Sequence, residues 1–519
     1  MLSSKTQKQF RRLKPLSGWF NNTYHEVIMT TLTSKLVLGL LLCTFVGEAQ
    51  EEDEYTKWLK QQQSEYKKFV DAHDRDFSEF LKKEWRGMQL MRGELPDSTP
   101  KPPVLPVLAP KPRPAVDSTT KQTVVAVPRV PPTPRPTPLP SAPAIDESRD
   151  MLKVNFVFFD APIELRYNKA LCVRFDRAPD NESISAYWNA TNAAQAVDVL
   201  KQLQFERVRL KLNDWGYILL VNAVGKQLFG TADNARTLFV WHLLVRSEFD
   251  ARVGYTDGRV YLLLPAKTRL FGIPFFSFAA GEGRYYAVRF EAAEKVPMGQ
   301  IFAYEGRYAP TSRPVDFTMD ESPLLTQESV RKKLTFTHLE KKFSLEVVVN
   351  DGMVRFLKDY PQTEFPVYFR AAPSPEASRS LTESLRPIVE GKTEIEAVNL
   401  LLHFMQTAFG YKTDKDNFGW EKPLFPDETL FYPYSDCEDR AILFAYLVRT
   451  LTGLDVVGLD YPAHIATAVR FHTSTPGDAV TYNNARYLIC DPTYVNADIG
   501  MCMPNFKNVQ PSVIAWKNQ

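Results

Sequence analysis

The sequence predicts a mixed α+β fold for the part of the chain that follows residue 150. Apolar residues recur every three or four positions over residues 215–229 and 393–409, which is the spacing of a helix with one buried face. Short runs rich in β-branched and aromatic residues lie between such stretches, and Asp257-Gly258 separates two of these runs as a hairpin turn does. Helices and strands are therefore both expected in the globular part of the protein.

Length and composition limit the number of domains and the kinds of partner. At 519 residues the chain exceeds the usual size of one domain, so two or three globular units are expected. Hydrophobic residues make up 44% of the sequence and aromatic residues 12%, which is ample for packed cores. The formal net charge is only +2, and no basic stripe is interleaved with aromatic residues. A nucleic-acid partner is therefore not expected.

Residues 1–49 carry the signs of export. Lys35 precedes an apolar run over residues 36–46, and Gly47 and Ala49 follow it, as in a secretory signal peptide. The apolar run is too short for a permanent membrane span. Because Met29 directly precedes this segment, we interpret residues 1–28 as an upstream extension from a mis-assigned start. We expect a periplasmic or extracellular protein; a lipid anchor at Cys43 is a weaker alternative, because no small residue precedes it where lipoprotein processing prefers one.

Two segments separate this leader from the globular part. Aromatic and apolar residues spaced three or four apart over residues 50–95 predict an amphipathic helix. This helix either docks on the protein's own body or serves in self-association or attachment to the envelope. Residues 96–150 are dense in proline, which predicts a semi-rigid spacer that builds no core of its own.

The remaining chain is divided by its patterns into three units, at residues 151–290, 291–385 and 386–519. In the first, we predict a strand at 154–159 and helices at 184–205, 215–229 and 235–245, followed by the hairpin. The second is predicted to be rich in β-structure, with strands at 345–349 and 367–369, a turn at Asp351-Gly352 and a helix that starts at Ser374. The third has helices at 393–409 and 437–451 and strands at 454–459, 461–469 and 486–491, the last of which ends before the turn-forming Pro492.

The third unit contains, in order, the residue types that nucleophilic catalysis by a thiol requires. Cys437 opens a helix, where the helix dipole favours a thiolate. His464 lies at the start of the second strand after this helix, and Asp491 ends the next strand. A thiol nucleophile needs a base within hydrogen-bond reach and a third group that orients the base, and these residues supply both. The acidic residues beside Cys437 disfavour a thiolate, so its activation is expected from His464 and the helix start.

The segments around these residues resemble the transglutaminase-like superfamily over residues 391–493. They read Ser-Asp-Cys-Glu-Asp-Arg-Ala around Cys437, Tyr-Pro-Ala-His-Ile-Ala-Thr-Ala-Val around His464 and Cys-Asp-Pro-Thr-Tyr around Asp491, with Pro-Asp-Glu-Thr-Leu upstream at 426–430. The resemblance implies a bacterial, exported protein whose C-terminal domain has a papain-like core. It also implies that the cysteine, the histidine and the aspartate form a catalytic triad.

The activity that the resemblance implies is acyl transfer through a thioester. Cys437 attacks a carboxamide or peptide carbonyl, His464 takes the thiol proton and returns it to the leaving amine, and Asp491 orients the imidazole. If water resolves the thioester, the protein is a cysteine protease or amidase acting on a peptide or protein in the envelope or outside the cell, and this is the function that we expect. If a lysine amine does so, the protein is a cross-linking enzyme. A non-catalytic binding or scaffold protein is the alternative of another class.

An oxyanion formed in this reaction needs a hydrogen-bond donor. The backbone N–H of Cys437 is the expected donor, because an amide at a helix start points toward developing negative charge. Gln406 and Trp420 are candidate side-chain donors on their position alone.

The five cysteines do not form a disulfide framework, since Cys43 lies in the leader and Cys437 is assigned to chemistry. Cys490 and Cys502 either pair or remain thiols. No CxxC or HExxH spacing indicates a metal site, and no cofactor is expected.

The first unit resembles the third in the order of its pieces. The helix at 215–229 parallels residues 397–410, and the helix that ends at Arg246 before Gly254 parallels the helix that passes Arg449 before Gly458. These parallels predict a degenerate internal copy of the transglutaminase-like unit at residues 151–290. No cysteine opens its helix and no histidine lies in its hairpin, so the copy is expected to be inactive. The alternative is two unrelated units that share common patterns.

Overall fold

The structure, a computed structural model, describes residues 12–13, 105–108 and 151–516, except residues 195, 257, 279–282, 289, 291–300, 307–311 and 326–328. It is of mixed α+β class, as the sequence predicts, with helices packed against antiparallel sheets. The predicted signal segment, the helix predicted at 50–95 and most of the proline-rich spacer lie outside the described residues. Of the upstream extension predicted at 1–28, only Arg12–Leu13 is described. Within the described part of the chain, no helix is long and apolar enough to cross a membrane.

The described residues of the first half form a hairpin, four α-helices and a sheet. Its elements are β1 (Arg12–Leu13), β2 (Met151–Phe158), β3 (Ala161–Asn168), α1 (Asn181–Ala193), α2 (Val197–Arg209), α3 (Asp214–Phe229), α4 (Asp233–Arg246), β4 (Arg252–Tyr255), β5 (Val260–Pro265), β6 (Phe275–Phe276), β7 (Tyr285–Val288) and β8 (Ile301–Ala303). The strand order of the sheet is β1-β8-β4-β5-β7-β6, and every neighbouring pair is antiparallel.

The second half also starts with a hairpin and ends with a sheet. Its elements are β9 (Ser329–His338), β10 (Lys341–Asn350), α5 (Asp351–Lys358), α6 (Phe365–Arg370), α7 (Pro375–Val389), α8 (Glu394–Thr407), β11 (Gly410–Tyr411), α9 (Asp414–Phe418), α10 (Pro426–Phe431), β12 (Tyr434–Ser435), α11 (Cys437–Thr452), β13 (Asp455–Tyr461), β14 (His464–Arg470), β15 (Ala479–Tyr482), β16 (Ala485–Cys490) and β17 (Ser512–Ile514). The sheet has the antiparallel order β15-β16-β14-β13-β17.

The two sheets share one strand order. Apart from β1, which adds a sixth strand beside β8 in the first sheet, the order β6-β7-β5-β4-β8 corresponds to β15-β16-β14-β13-β17. In each half, two helices pack together before the sheet, α3 with α4 and α8 with α11, and the second of them packs on the two strands that follow it. This is the arrangement that a duplicated unit requires, although duplication itself stays a prediction. Helix α11 opens with Cys437, and the corresponding helix α4 opens with Asp233. Strand β14 opens with His464, and the corresponding strand β5 opens with Val260.

The single helix predicted at 184–205 is wrong, because the structure has two helices there. Helix α1 ends at Ala193, and α2 starts at Val197. Ala194 and Ala196 lie in the junction, and alanine favours a helix, so no residue in this stretch signals the break. The break turns α2 onto the β2–β3 hairpin, where Val199 and Leu203 are buried. Tertiary packing therefore decides this boundary.

Two predictions between residues 351 and 369 are also wrong. Asp351 opens α5 instead of a turn, because the Asn350 side chain accepts the N–H of Met353 at 3.0 Å and caps the helix. The strand predicted at 367–369 is part of α6, where Pro366 at the helix start and the burial of the three side chains outweigh their strand preference.

The range 291–385 differs from the β-rich unit that we predicted. Its described residues contain β8, the β9–β10 hairpin and the three helices α5, α6 and α7. Strand β8 belongs to the first sheet, whereas the hairpin packs against α7 and α8. One hydrophobic cluster of the described residues extends from Phe158 to Trp516 and includes the hairpin, the helices and both sheets.

Candidate active site

Cys437 is the first residue of α11, a helix of 16 residues of which 13 are buried. Its start is fixed by Asp436, the N-cap residue, whose backbone N–H donates to Asp439 Oδ2 at 3.1 Å. Its end is marked by Gly453 at φ 72°, a conformation that glycine adopts without strain. The helix packs against α7, α8, β13 and β14, and the thiol residue is only 2% exposed.

His464 and Asp491 are brought together by neighbouring strands. His464 opens β14, and Asp491 directly follows β16, which is the strand beside β14. The His464 Nε2 atom lies 2.8 Å from Asp491 Oδ2, and both residues are buried. The ring of Phe506 stacks on the imidazole, with centroids 5.1 Å apart and planes inclined by 3°. The pair is thus held in one orientation by a hydrogen bond and by stacking.

The second carboxylate oxygen of Asp491 is also occupied. Asp491 Oδ1 accepts the backbone N–H of Thr493 at 2.9 Å and the Thr493 hydroxyl at 2.6 Å. Burial by itself would raise the pKa of Asp491, but His464 and the Thr493 donors outweigh burial and hold that pKa below its ordinary value. The carboxylate therefore stays ionised at neutral pH and can orient the imidazole.

The Cys437 thiol contacts Glu438, one of the adjacent acids that the sequence predicts to disfavour a thiolate. Its Sγ–H donates to Glu438 Oε2 at 3.0 Å, and the Glu438 side chain is itself buried. A carboxylate that accepts the thiol hydrogen stabilises the protonated sulfur relative to the thiolate. Helix α11 also packs directly on β14, the strand that carries His464. The thiol is thus hydrogen-bonded to Glu438 of its own helix. That helix is in contact with β14, which carries the expected base, His464.

Replacing Glu438 by glutamine is expected to raise the rate of Cys437 alkylation at pH 7 by roughly tenfold, because a negative charge beside Sγ is removed. Iodoacetamide labelling followed by peptide mass spectrometry measures this rate. The matched control is Glu383→Gln, an exposed residue of α7, which should leave the rate unchanged. An unchanged or slower rate in Glu438→Gln would mean that this carboxylate does not govern the thiol.

The two side-chain oxyanion candidates lie in different surroundings. Gln406 is buried on α8, and its Nε2 donates to the carbonyl oxygens of Asp491 at 3.2 Å and Ala497 at 3.0 Å. Its Oε1 accepts the backbone N–H of Asn496 at 3.2 Å. Both amide hydrogens are thus directed at carbonyls, and Gln406 supports the loop that carries Asp491. Trp420 is 57% exposed.

Buried acids tie the segment before α11 to the start of that helix. Carboxylate oxygens of Asp414, Asp436 and Asp439 lie within 4.8 Å of one another. Backbone amides donate to each of them, from Asp414 to Asp436 at 3.3 Å, from Lys422 to Asp414 at 2.7 Å and from Leu424 to Asp439 at 2.8 Å. Their shared role in the structure is to fix residues 414–424 against the helix that presents Cys437.

The buried acids make folding stability depend on pH. Burial raises the pKa of Asp427 to about 6 and raises the pKa of Asp439 well above its ordinary value. Between about pH 4 and pH 6 the folded protein therefore holds a proton on Asp427 that the unfolded chain has released. This contribution is fully present below the unfolded pKa and is lost as pH rises through the folded pKa.

The free energy of unfolding is accordingly expected to fall from pH 4.5 to pH 6.5, by up to about 1.4 kcal/mol per pH unit for each such group. Urea denaturation at the two pH values measures the change. Asp427→Asn keeps an oxygen that accepts a hydrogen bond from Ser374 but cannot bind this proton. In this variant the fall in the free energy of unfolding should be smaller, by up to about 1.4 kcal/mol per pH unit. An identical pH slope in the variant would show that Asp427 does not hold this proton.

Cys490 and Cys502 are not joined by a disulfide; both are buried thiols. Among the predicted site residues, the structure joins His464 directly to Asp491, places Gln406 behind Asp491 and leaves Trp420 at the surface. Comparison with known proteins finds no matching family, no matching curated protein and no matching solved structure. The function is therefore inferred from the sequence pattern and from this geometry.

Proposed function

We propose that the protein is an exported, transglutaminase-like cysteine hydrolase that cleaves peptide or carboxamide bonds. The observation that carries the proposal is the hydrogen bond of 2.8 Å between His464 and Asp491, next to a helix that opens with Cys437. A buried histidine oriented by an ionised aspartate is the arrangement that activates a thiol in acyl transfer.

The roles of the three residues follow from which atoms are already engaged. Because Nε2 of His464 is bonded to Asp491, Nδ1 is the ring nitrogen left to take the proton of Cys437. The thiolate then attacks the carbonyl carbon, and the imidazolium returns its proton to the leaving amine as the thioester forms. Water, with His464 again as the base, hydrolyses the thioester and restores the thiol.

The proposed oxyanion donor is the backbone N–H of Cys437. It lies at the first position of α11, where the helix dipole places partial positive charge that favours an oxyanion. The commitment of the Gln406 amide to two carbonyls supports this choice over that side chain. In this proposal Gln406 is a positioning residue that supports the loop of Asp491.

The shared strand order of the two halves supports the proposal of a papain-like core that occurs twice. The first half has Asp233 and Val260 where the second half has Cys437 and His464, so its copy is proposed to be inactive. The contact between the Cys437 thiol and Glu438 favours one rival, a binding or scaffold protein that keeps the fold and does not react. A cross-linking enzyme would use the same residues with an amine in place of water.

Alkylation of Cys437 with iodoacetamide between pH 5 and pH 9 tests the proposal in the full-length protein. Near pH 6 we expect Cys437 of the wild-type protein to be labelled faster than an ordinary thiol. In His464→Ala its labelling should be slower than in the wild type by roughly tenfold or more. The matched control is His472→Ala, whose imidazole is exposed and bonds Glu394. Buried Cys490, with a pKa raised by burial, gives an internal standard for an inert thiol.

The outcomes of the alkylation experiment separate the alternatives. If Cys437 reacts as slowly as Cys490, or if His464→Ala changes nothing, the proposed catalysis is wrong and the scaffold interpretation is favoured. If Cys437 is reactive, incubation of acylated protein with a lysine analogue distinguishes transfer to an amine from hydrolysis.

A further inference from the structure

A short piece of the proline-rich region lies against the folded body as an added strand. The backbone N–H of Leu108 donates to the carbonyl of Val495 at 2.9 Å, and the N–H of Val495 donates to the carbonyl of Pro106 at 3.0 Å, so Val107 pairs with Val495 in parallel. The side-chain amide of Asn496 donates to the carbonyl of Leu108 at 3.1 Å. Main-chain pairing of this kind is how exposed edges capture extended peptides.

The side chains of this piece alternate between the body and the solvent. Leu108 packs against a buried group made of Tyr494, Ala497 and Met503. Val107 points away and is 62% exposed. This alternation is that of a strand. The edge therefore recognises the backbone and the side chain of Leu108, while the type of residue at position 107 is not restricted.

The hydrogen-bond pattern explains why proline is accepted here. The pairing uses the carbonyl of Pro106 and the N–H of Leu108, and it requires no N–H from Pro106, which has none. The same tripeptide also occurs twice in succession, as Pro103-Val104-Leu105 and Pro106-Val107-Leu108. A shift by three residues would therefore present an equivalent proline and leucine to the edge.

The receiving edge is held in shape by contacts inside the body. Gln406 accepts the N–H of Asn496 and donates to the carbonyls of Ala497 and Asp491, so one buried side chain supports both the edge and the loop of Asp491. Asn496 itself has φ 65°, a left-handed conformation that asparagine tolerates better than most residues. None of these supporting bonds involves residues 105–108.

We propose that the edge at Val495 and Asn496 is a binding site for extended Pro-X-Leu peptides, and that residues 105–108 of this chain are its intramolecular ligand. The chain between Leu108 and Met151 joins this ligand covalently to the body, so its docking is intramolecular and is favoured over the docking of a dilute free peptide. A peptide from another molecule must therefore compete with it. This site does not depend on the chemistry proposed for Cys437.

Hydrogen exchange of the full-length protein tests whether the segment covers the edge. In Leu105→Asp/Leu108→Asp, peptides containing Val495 should exchange at least about tenfold faster than in the wild type, because an aspartate cannot occupy the apolar group and both registers are blocked. Val104→Asp/Val107→Asp is the matched control; it adds the same charge at the outward position of either register and should leave exchange unchanged. Equal exchange in all three proteins, or equal acceleration in both variants, would overturn the proposal.

Fluorescence anisotropy with a labelled peptide of residues 102–110 tests whether the edge is a binding site. The peptide should bind Leu105→Asp/Leu108→Asp at least about tenfold more tightly than the wild type, in which the segment competes. A peptide with aspartate at both leucines should not bind. Equal affinity for the two proteins, or no binding to either, would overturn the proposal. In the hydrogen-exchange experiment, protection of Val495 that rises with protein concentration would also overturn it, because that result indicates docking between two copies.

Discussion

Acyl transfer from p-nitrophenyl acetate is expected to fall by about 10³-fold or more when Cys437 is replaced by alanine, because the nucleophile is lost and only background hydrolysis remains. Stopped-flow detection of nitrophenolate measures the rate, and mass spectrometry of the quenched wild-type protein should find one acetyl group on Cys437. The ester bypasses the unknown peptide specificity, since it needs only a reactive thiol near a base. The substitution removes a small buried side chain, so folding should be little affected.

Two variants make the expected loss specific to the proposed triad. Asp491→Asn keeps the shape of the side chain and should lower the rate by orders of magnitude, because the imidazole loses the ionised partner that orients it. Cys172→Ala, in the first half, removes a half-buried thiol and should leave the rate unchanged. A burst of nitrophenolate that persists in Cys437→Ala, or wild-type protein without any acetylation, would contradict the proposed catalysis.

Replacing Arg440 by methionine is expected to lower the free energy of unfolding by about 3–5 kcal/mol, the range seen when one member of a buried charged network is removed. Its guanidinium is fully buried and donates to the carbonyls of Phe409 at 2.9 Å, Gly410 at 3.1 Å and Gln406 at 3.3 Å. Nε donates to the Ser435 hydroxyl at 3.1 Å. Methionine fills much of the volume but leaves these buried acceptors without a donor.

The charge of Arg440 also matters for the acids around the helix start. Burial lowers the pKa of Arg440 to about 10, so it is still a cation at neutral pH, near Asp436 and Asp439. Its loss would leave these buried carboxylates with less compensation, which adds to the cost of the lost hydrogen bonds.

Urea denaturation at pH 7 measures the effect, with Arg486→Met as the matched control. Arg486 also donates to two carbonyls, those of Thr475 at 2.6 Å and Gly477 at 2.7 Å, but these bonds are exposed. The control should therefore change stability by no more than about 0.5 kcal/mol. Arg440→Lys keeps the positive charge but removes the planar guanidinium with its several N–H donors. Its loss in the free energy of unfolding is expected to lie between those of Arg440→Met and Arg486→Met. Similar small losses for Arg440→Met and Arg486→Met would show that burial gives Arg440 no special role.

The sequence was sufficient where a short stretch of chain determines the outcome. The predicted helices at 437–451 and 393–409 and the predicted strand at 461–469 are present as α11, α8 and β14, because caps, apolar periodicity and turns act within a few residues. Their starts agree within three residues, since α8 begins at Glu394 and β14 at His464. The pairing of His464 with Asp491 was also anticipated, from the order of the residue types along the chain and from the resemblance to a family. The α+β class followed from the same local signals.

Tertiary structure decided what depends on residues distant in the chain. The break between α1 and α2 and the helical state of residues 367–369 follow from burial against other elements, which overrides local preference. The common strand order of the two sheets is a property of pairing, which the chain-order parallels between the halves only suggested.

The details of the site divide in the same way. That a cysteine opens a helix is local, and the sequence by itself determined it. That Gln406 supports the loop of Asp491 and that Leu108 lies beside Tyr494 depend on how helices, loops and a remote segment pack in space. Sequence patterns record the preferences of neighbouring residues, whereas hydrogen bonds between side chains far apart in the chain exist only once the core has brought them together.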